Sequence, residues 1–259
     1  MSRVGVAARL LVVGLFFAMI VGPQWLAIRY RWRLAGWLPV LFHRLVLRLF
    51  GVRVREIGRP PRGPGLVLAN HVSWLDIPVM GSLQPLSFVA KSEIAGWPVI
   101  GLFAKLQRSV FIERARKTHT AEVNATVARR LASGDAVVLF PEGTTGDGNR
   151  LLPFRSSLVG AAGAALGEGL DRIALQPLAV AYTHRHGLPV TRRERPEIAW
   201  YGDMDLAPHL AAFVRGGPLD VVVAWGEPIP FDGASDRKRA TAAAEEAVRA
   251  LVREALAAR

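Results

Sequence analysis

Asn70-His71-Val72-Ser73-Trp74-Leu75-Asp76 sets a histidine and an aspartate five positions apart, and Phe140-Pro141-Glu142-Gly143-Thr144 follows well downstream. The first segment offers a base and a carboxylate able to orient it. The second adds a carboxylate and a glycine-containing turn. The chain has no cysteine, so no thiol nucleophile is available. This set suits transfer of an acyl group directly onto a hydroxyl, with the histidine taking the hydroxyl proton as the new bond forms. By itself the spacing is weak evidence. His71 also fits a capping or core histidine, and Asp76 a helix-terminus carboxylate before Pro78, so the surrounding chain must decide.

The elements that would position these residues alternate in type. Leu66–Ala69, Leu86–Ala90, Val110–Ile112, Ala136–Phe140, Ile173–Ala181, Glu197–Tyr201 and Leu219–Trp225 have strand character, and helical patterns lie between several of them. From Thr118 to Ala132, Val123, Val127 and Leu131 recur every four residues, and Ser235 to Arg259 reads as an amphipathic helix packed on the domain. The expectation is an α/β fold, a mixed and largely parallel sheet flanked by helices. His71 directly follows one expected strand and Glu142 another, as in a crevice at the carboxyl edge of such a sheet.

A formal charge of +12 in 259 residues calls for a polyanionic partner. Because 51% of the residues are hydrophobic and the basic residues sit beside apolar runs, a membrane surface fits better than nucleic acid. Leu10 to Ile28 carries no charge and would form a helix of about 28 Å, close to the thickness of a bilayer core. It reads as a retained helix, spanning or re-entrant. A cleaved signal peptide is the alternative, but the run is too long for one and no clear small-residue cleavage site follows. The heavier basic flank, beginning with Arg29, Arg31 and Arg33, is C-terminal to the run and places the rest of the chain in the cytoplasm. Leu34 to Phe50 reads as a second helix, either interfacial or packed on the domain. The turn-rich Gly58–Pro64 divides residues 1–57, the membrane-anchoring helices, from residues 58–259, the enzymatic domain.

Together these segments resemble the glycerolipid acyltransferases related to bacterial 1-acylglycerol-3-phosphate acyltransferase. Asn70-His71 with Asp76 matches the first block of that family, Val110–Arg114 the second, Phe140–Thr144 the third, and Leu175-Gln176-Pro177-Leu178 stands where the fourth belongs. Locally, Ala95–Gly101, Thr144–Arg150 and Ala199–Met204 look like the proteobacterial branch that includes lyso-ornithine lipid acyltransferases. The resemblance implies His71 as general base and Asp76 as its orienting partner. It places Asn70, Arg114, Glu142, Gly143 and Thr144 around the acceptor, and Lys91 near the reacting carbonyl, where a surface lysine at a strand end is an equal reading. Two positions depart from the pattern. Arg108 stands where the second block often has glycine, and Thr145 where many members acting on phosphate substrates carry arginine, which puts recognition of the acceptor headgroup in doubt.

The implied activity is a membrane-bound O-acyltransferase of the bacterial inner membrane, its catalytic domain on the cytoplasmic face. It would take its acyl chain from an acyl carrier protein or coenzyme A thioester, with no resident cofactor. The expected acceptor is 1-acyl-sn-glycerol-3-phosphate; lyso-ornithine lipid is the alternative, alone or as a second substrate. A hydrolase using Ser73 lacks a G-x-S-x-G elbow, and a metallohydrolase lacks a paired-histidine motif. A non-enzymatic lipid-binding scaffold would explain the basic apolar N-terminus but not the polar blocks.

Overall fold

In the computed structural model, which describes residues 3–60, 63–112 and 119–258, short β-branched runs bounded by glycine and proline become the strands of one sheet. The chain order is α1 (Arg3–Arg29), α2 (Leu34–Phe50), β1 (Val52–Ile57), β2 (Gly65–Ala69), α3 (Asp76–Gly81), β3 (Ser87–Lys91), α4 (Ile100–Leu106), β4 (Val110–Ile112), α5 (His119–Ala132) and β5 (Ala136–Leu139). It continues with α6 (Gly160–Gly167), β6 (Arg172–Arg185), β7 (Leu188–Pro189), α7 (Arg195–Ile198), α8 (Leu206–Arg215), β8 (Leu219–Trp225), β9 (Ile229–Asp232) and α9 (Arg237–Ala257).

The sheet runs β1-β8-β6-β2-β5-β3-β4, with β7 and β9 paired to β6. Strands β6, β2, β5, β3 and β4 are parallel, so their carboxyl ends share one edge, whereas β8 is antiparallel to β6 and parallel to β1. Alternate residues of β2 enter two cores on opposite faces: Val67 and Ala69 meet α2 and α3, while Leu66 and Leu68 meet α5 and α6. Burial of all five β2 residues is the reason this strand lacks a polar face.

Several elements differ from the sequence expectation, among them β7 and β9, short strands the sequence did not mark. Glu197–Tyr201 is not a strand: Pro196 lies in the first turn of α7, which it can open because no N–H is needed there, and the chain then runs extended to Trp200. Val52–Ile57, unmarked in the sequence because charged residues alternate with its apolar ones, pairs along its whole length with β8.

Helix α1 is apolar on all sides, and only 6% of its most apolar stretch is buried. Exposed Leu11, Leu15, Met19 and Trp25 would face water without a membrane, which distinguishes it from the core helix of a soluble protein. Its inner side is fixed. Phe17 stacks on Phe103 of α4 at 4.4 Å, and the Gln24 amide donates to the Ala35 and Leu106 carbonyls at 2.9 and 2.7 Å. Helix α2 ends at Gly51, whose φ of +74° is the left-handed conformation that lets its N–H close the last turn on Arg48 and Leu47.

Candidate active site

His71 leaves the carboxyl end of β2, and Asp76 opens α3. The intervening turn is closed by the aspartate, whose Oδ2 accepts from the Val72 and Ser73 N–H groups at 2.7 and 2.9 Å and from His71 Nδ1 at 2.8 Å. Its Oδ1 accepts from the Tyr182 hydroxyl. Four donors therefore converge on a carboxylate with no exposed surface, while the imidazole is 18% exposed. Because the carboxylate accepts, Nδ1 carries the proton and Nε2 keeps a free lone pair, the state a general base needs. Burial, and after it the Asp76 charge, pushes Tyr182 ionisation well above the usual phenol range, so the phenol remains a donor.

The ring has a second support. Phe140 stacks on it with centroids 3.9 Å apart and planes 14° from parallel, and the loop after β5 clasps the His71 backbone from both sides. Glu142 Oε1 accepts from the His71 N–H at 2.7 Å and Oε2 from the Leu152 N–H at 2.8 Å, while the His71 carbonyl accepts from Gly146 N–H at 2.9 Å. Burial raises the Glu142 pKa to about 7 against the opposing pull of those two N–H groups. Gly143, with φ +76°, turns the chain beside the Arg155 guanidinium, which a Cβ there would meet at 3.3 Å.

The other residues singled out by sequence fall in different places. Asn70 is buried, and its amide exchanges two hydrogen bonds with the Val180 backbone, at 2.9 and 2.8 Å. It thereby extends the β2–β6 ladder by one rung beyond the Ala69–Leu178 pair. Lys91 is exposed at the end of β3 and Thr144 is exposed on the loop after β5. Arg114 lies outside the described residues. Arg108, where the family pattern favours glycine, adopts the left-handed φ of +60° and pairs with Asp135 at 2.7 Å.

A cleft of about 460 Å³ opens on the β6 side of His71. Its wall includes residues that the motif spacing did not reveal: Tyr182, Arg192, Arg195, and Arg249, Arg253 and Leu256 of α9. Helix α9, read from sequence as a packing helix, thus has one face on the site. A further network holds the His71 turn from outside. Trp74 Nε1 donates to His209 Nδ1 at 3.0 Å, His209 Nε2 faces the Ala199 carbonyl at 3.0 Å, and Trp200 N–H donates to the Val72 carbonyl at 3.0 Å.

The family profile described as Acyltransferase matches residues 51–181. A lyso-ornithine lipid O-acyltransferase of Brucella abortus is 50% identical over 226 residues, 85% of this chain and 85% of the relative. A 1-acyl-sn-glycerol-3-phosphate acyltransferase of Neisseria gonorrhoeae is 36% identical over 200 residues, 76% of this chain and 74% of the relative. The crystal structure of a 1-acyl-sn-glycerophosphate acyltransferase from Thermotoga maritima superposes with a TM-score of 0.58 over 98% of both chains at 22% identity, a likeness of fold.

Proposed function

The chain belongs to the acyltransferase family, and on that premise we propose that it transfers a fatty acyl chain from a carrier thioester to the hydroxyl of a lyso-ornithine lipid. The observation that carries the chemistry is the His71–Asp76 pair at the cleft, with Nδ1 bound and Nε2 free. In this mechanism the acceptor hydroxyl lies against Nε2, which removes its proton as the oxygen attacks the thioester carbonyl. Lys91 and Thr144, exposed donors at the carboxyl edge, are the groups proposed to face the oxyanion. When the tetrahedral species collapses, the carbon–sulfur bond breaks and His71 returns its proton to the departing thiolate, so no covalent enzyme intermediate forms. Asp76 stabilises the imidazolium while it lasts.

The acceptor is proposed from likeness and from chemistry. The Brucella relative at 50% identity favours lyso-ornithine lipid over the lysophosphatidate expected from sequence, and Thr145 withholds one arginine fork from a phosphate monoester. Lysophosphatidate remains the second reading, favoured by the Neisseria relative. Acyl carrier protein or coenzyme A supplies the donor. The apolar α1 would anchor the chain in the inner membrane, with Arg29, Arg31 and Arg33 keeping the domain on the cytoplasmic side.

Washed membranes containing the protein, given labelled acyl donor and a panel of lysolipids, test this assignment. Label is expected in ornithine lipid at a higher kcat/KM than in phosphatidate. Labelling of phosphatidate alone would overturn the acceptor assignment, and labelling of neither would overturn the lysolipid reading.

A further inference from the structure

Five arginines line the cleft beside His71, and they fall into two groups. Arg249 and Arg253 of α9 are neutralised on their own helix by Glu245 at 2.8 Å and Glu246 at 3.2 Å. Arg150, Arg192 and Arg195 have no carboxylate partner among the described residues. Glu142 also lines the cleft, but both of its oxygens are engaged by backbone N–H groups. Nearby Asp147 is turned onto the backbone N–H of Asn149.

The unpaired group also contains an unmatched buried donor. Arg195 Nε is buried with no hydrogen-bond partner. Burial and the like charge of Arg192 both lower the Arg195 pKa, which places the two guanidinium groups within electrostatic reach of each other. Gly148 brings the loop against this turn: a Cβ at that position would lie 3.4 Å from Arg195 Cβ and 3.3 Å from Val72 Cγ1. A buried donor without an acceptor costs stability, and so do neighbouring like charges without a counterion. Both costs fall if an anion binds there, and arginine forks match the planar carboxylate and the phosphate group.

We infer that Arg150, Arg192 and Arg195 form a seat for a substrate oxyanion beside His71, either the carboxylate or phosphate of the acceptor headgroup or the phosphodiester of the carrier thioester. The seat deepens the lysolipid assignment above and rests on it. It draws on none of the four sequence blocks and does not include Thr145, where the family pattern would put an arginine. Val180, Ala181, Ile198, Val252 and Leu256 in the same wall leave apolar surface beside it for an acyl chain.

The test varies acceptor and donor separately for the full chain and its R150Q and R192Q/R195Q variants. Loss of charge-assisted hydrogen bonds should raise KM for one substrate by about ten- to a hundredfold, more than any fall in kcat. A rise in acceptor KM names the headgroup as the source, and a rise in donor KM names the phosphodiester. R195K, which keeps the charge and loses the fork, should recover part of the loss. Unchanged KM for both substrates would overturn the seat.

A second measurement is independent of transfer. Inorganic phosphate should raise the melting temperature of the unaltered chain and not that of R192Q/R195Q. Equal stabilisation of both, or of neither, would count against the seat. Phosphate stabilisation of the unaltered chain alone, without transfer to any lysolipid, would uphold the seat and defeat the substrate assignment.

Discussion

At the β2 end of the cleft, Asp76 receives four hydrogen bonds, Glu142 receives two, and the His71 ring lies on Phe140. On the α7 side of the cleft, Arg195 Nε gives none, and Arg192 and Arg195, with Arg150 of the loop after β5, lack a carboxylate partner among the described residues. The two walls are built to different ends. A base must be held in one tautomer and one orientation before substrate arrives, so its carboxylate partner and its own backbone are matched in advance, the buried Ser73 hydroxyl being the exception. A headgroup pocket can leave donors open because the ligand will match them, at a stability cost when empty. Chemistry and recognition thereby fall to different side chains, although Arg150 shares the loop after β5 whose Glu142 and Gly146 hold the His71 backbone.

Changes on the matched wall should have the largest effects. Asp76→Asn replaces one accepting oxygen by an amide N–H, which the His71 ring can meet by leaving Nδ1 bare, and so removes the force selecting the Nδ1–H tautomer. Turnover should fall by about 10⁴, the loss known for the same change in serine-hydrolase triads. The melting temperature should fall as well, because buried donors lose their acceptor. Initial rates and thermal unfolding measured on the same sample check both, and turnover within tenfold of the parent would put the base elsewhere.

Glu142→Gln keeps one acceptor and turns an amide N–H toward a backbone N–H. A loss of about 1–3 kcal/mol follows from one unmatched buried donor, readable in denaturant unfolding. The pH dependence has a definite sign. With the folded pKa raised from 4.5 to about 7, the folded state holds this proton more tightly than the unfolded state does. The stability contributed by that proton is therefore complete below about pH 4.5 and is lost as pH rises through about 7. The parent should lose stability across this window relative to Glu142→Gln; parallel curves would assign the effect to another group.

A smaller loss is expected for Tyr182→Phe, which removes one of the four donors on Asp76 and leaves the others. Activity should drop by about tenfold, corresponding to roughly 1.4 kcal/mol. Smallest is Thr145→Arg. With the headgroup oxyanion seated by Arg150, Arg192 and Arg195, the added arginine should move relative kcat/KM toward lysophosphatidate by no more than about tenfold. A hundredfold shift in parallel acceptor assays would relocate headgroup recognition to the β5 side.

The matched wall was legible in sequence to the extent that it is local. His71 and Asp76 lie within one turn and Glu142 stands three residues past the end of β5, so the spacing made their meeting possible, and the motif blocks around them decided it. Val110–Ile112 and Leu219–Trp225 coincide with β4 and β8 because short runs rich in β-branched residues, interrupted in β8 only by Asp220, admit few alternatives. Asn70 and Tyr182 were not legible in their observed roles. One supplies an extra rung to β6 and the other reaches Asp76 from 106 residues away, and both depend on the β2–β6 register, which no short-range pattern encodes. Arg192 and Arg195 belong to none of the motifs the sequence offers. Only the packing of α7 and of the Gly148 loop places them in the wall of the cleft.

The central claim, that Asp76 fixes His71 with its proton on Nδ1 and its free pair on Nε2, is open to direct observation. Protein labelled with ¹⁵N at histidine, compared with a His71→Gln sample to assign the ring, reports the protonation of each nitrogen at a pH where the imidazole is neutral. The expected spectrum shows Nδ1 protonated and Nε2 bare in the parent, with that preference lost in Asp76→Asn. A proton on Nε2 in the parent would contradict the account, because the nitrogen facing the substrate could then accept nothing.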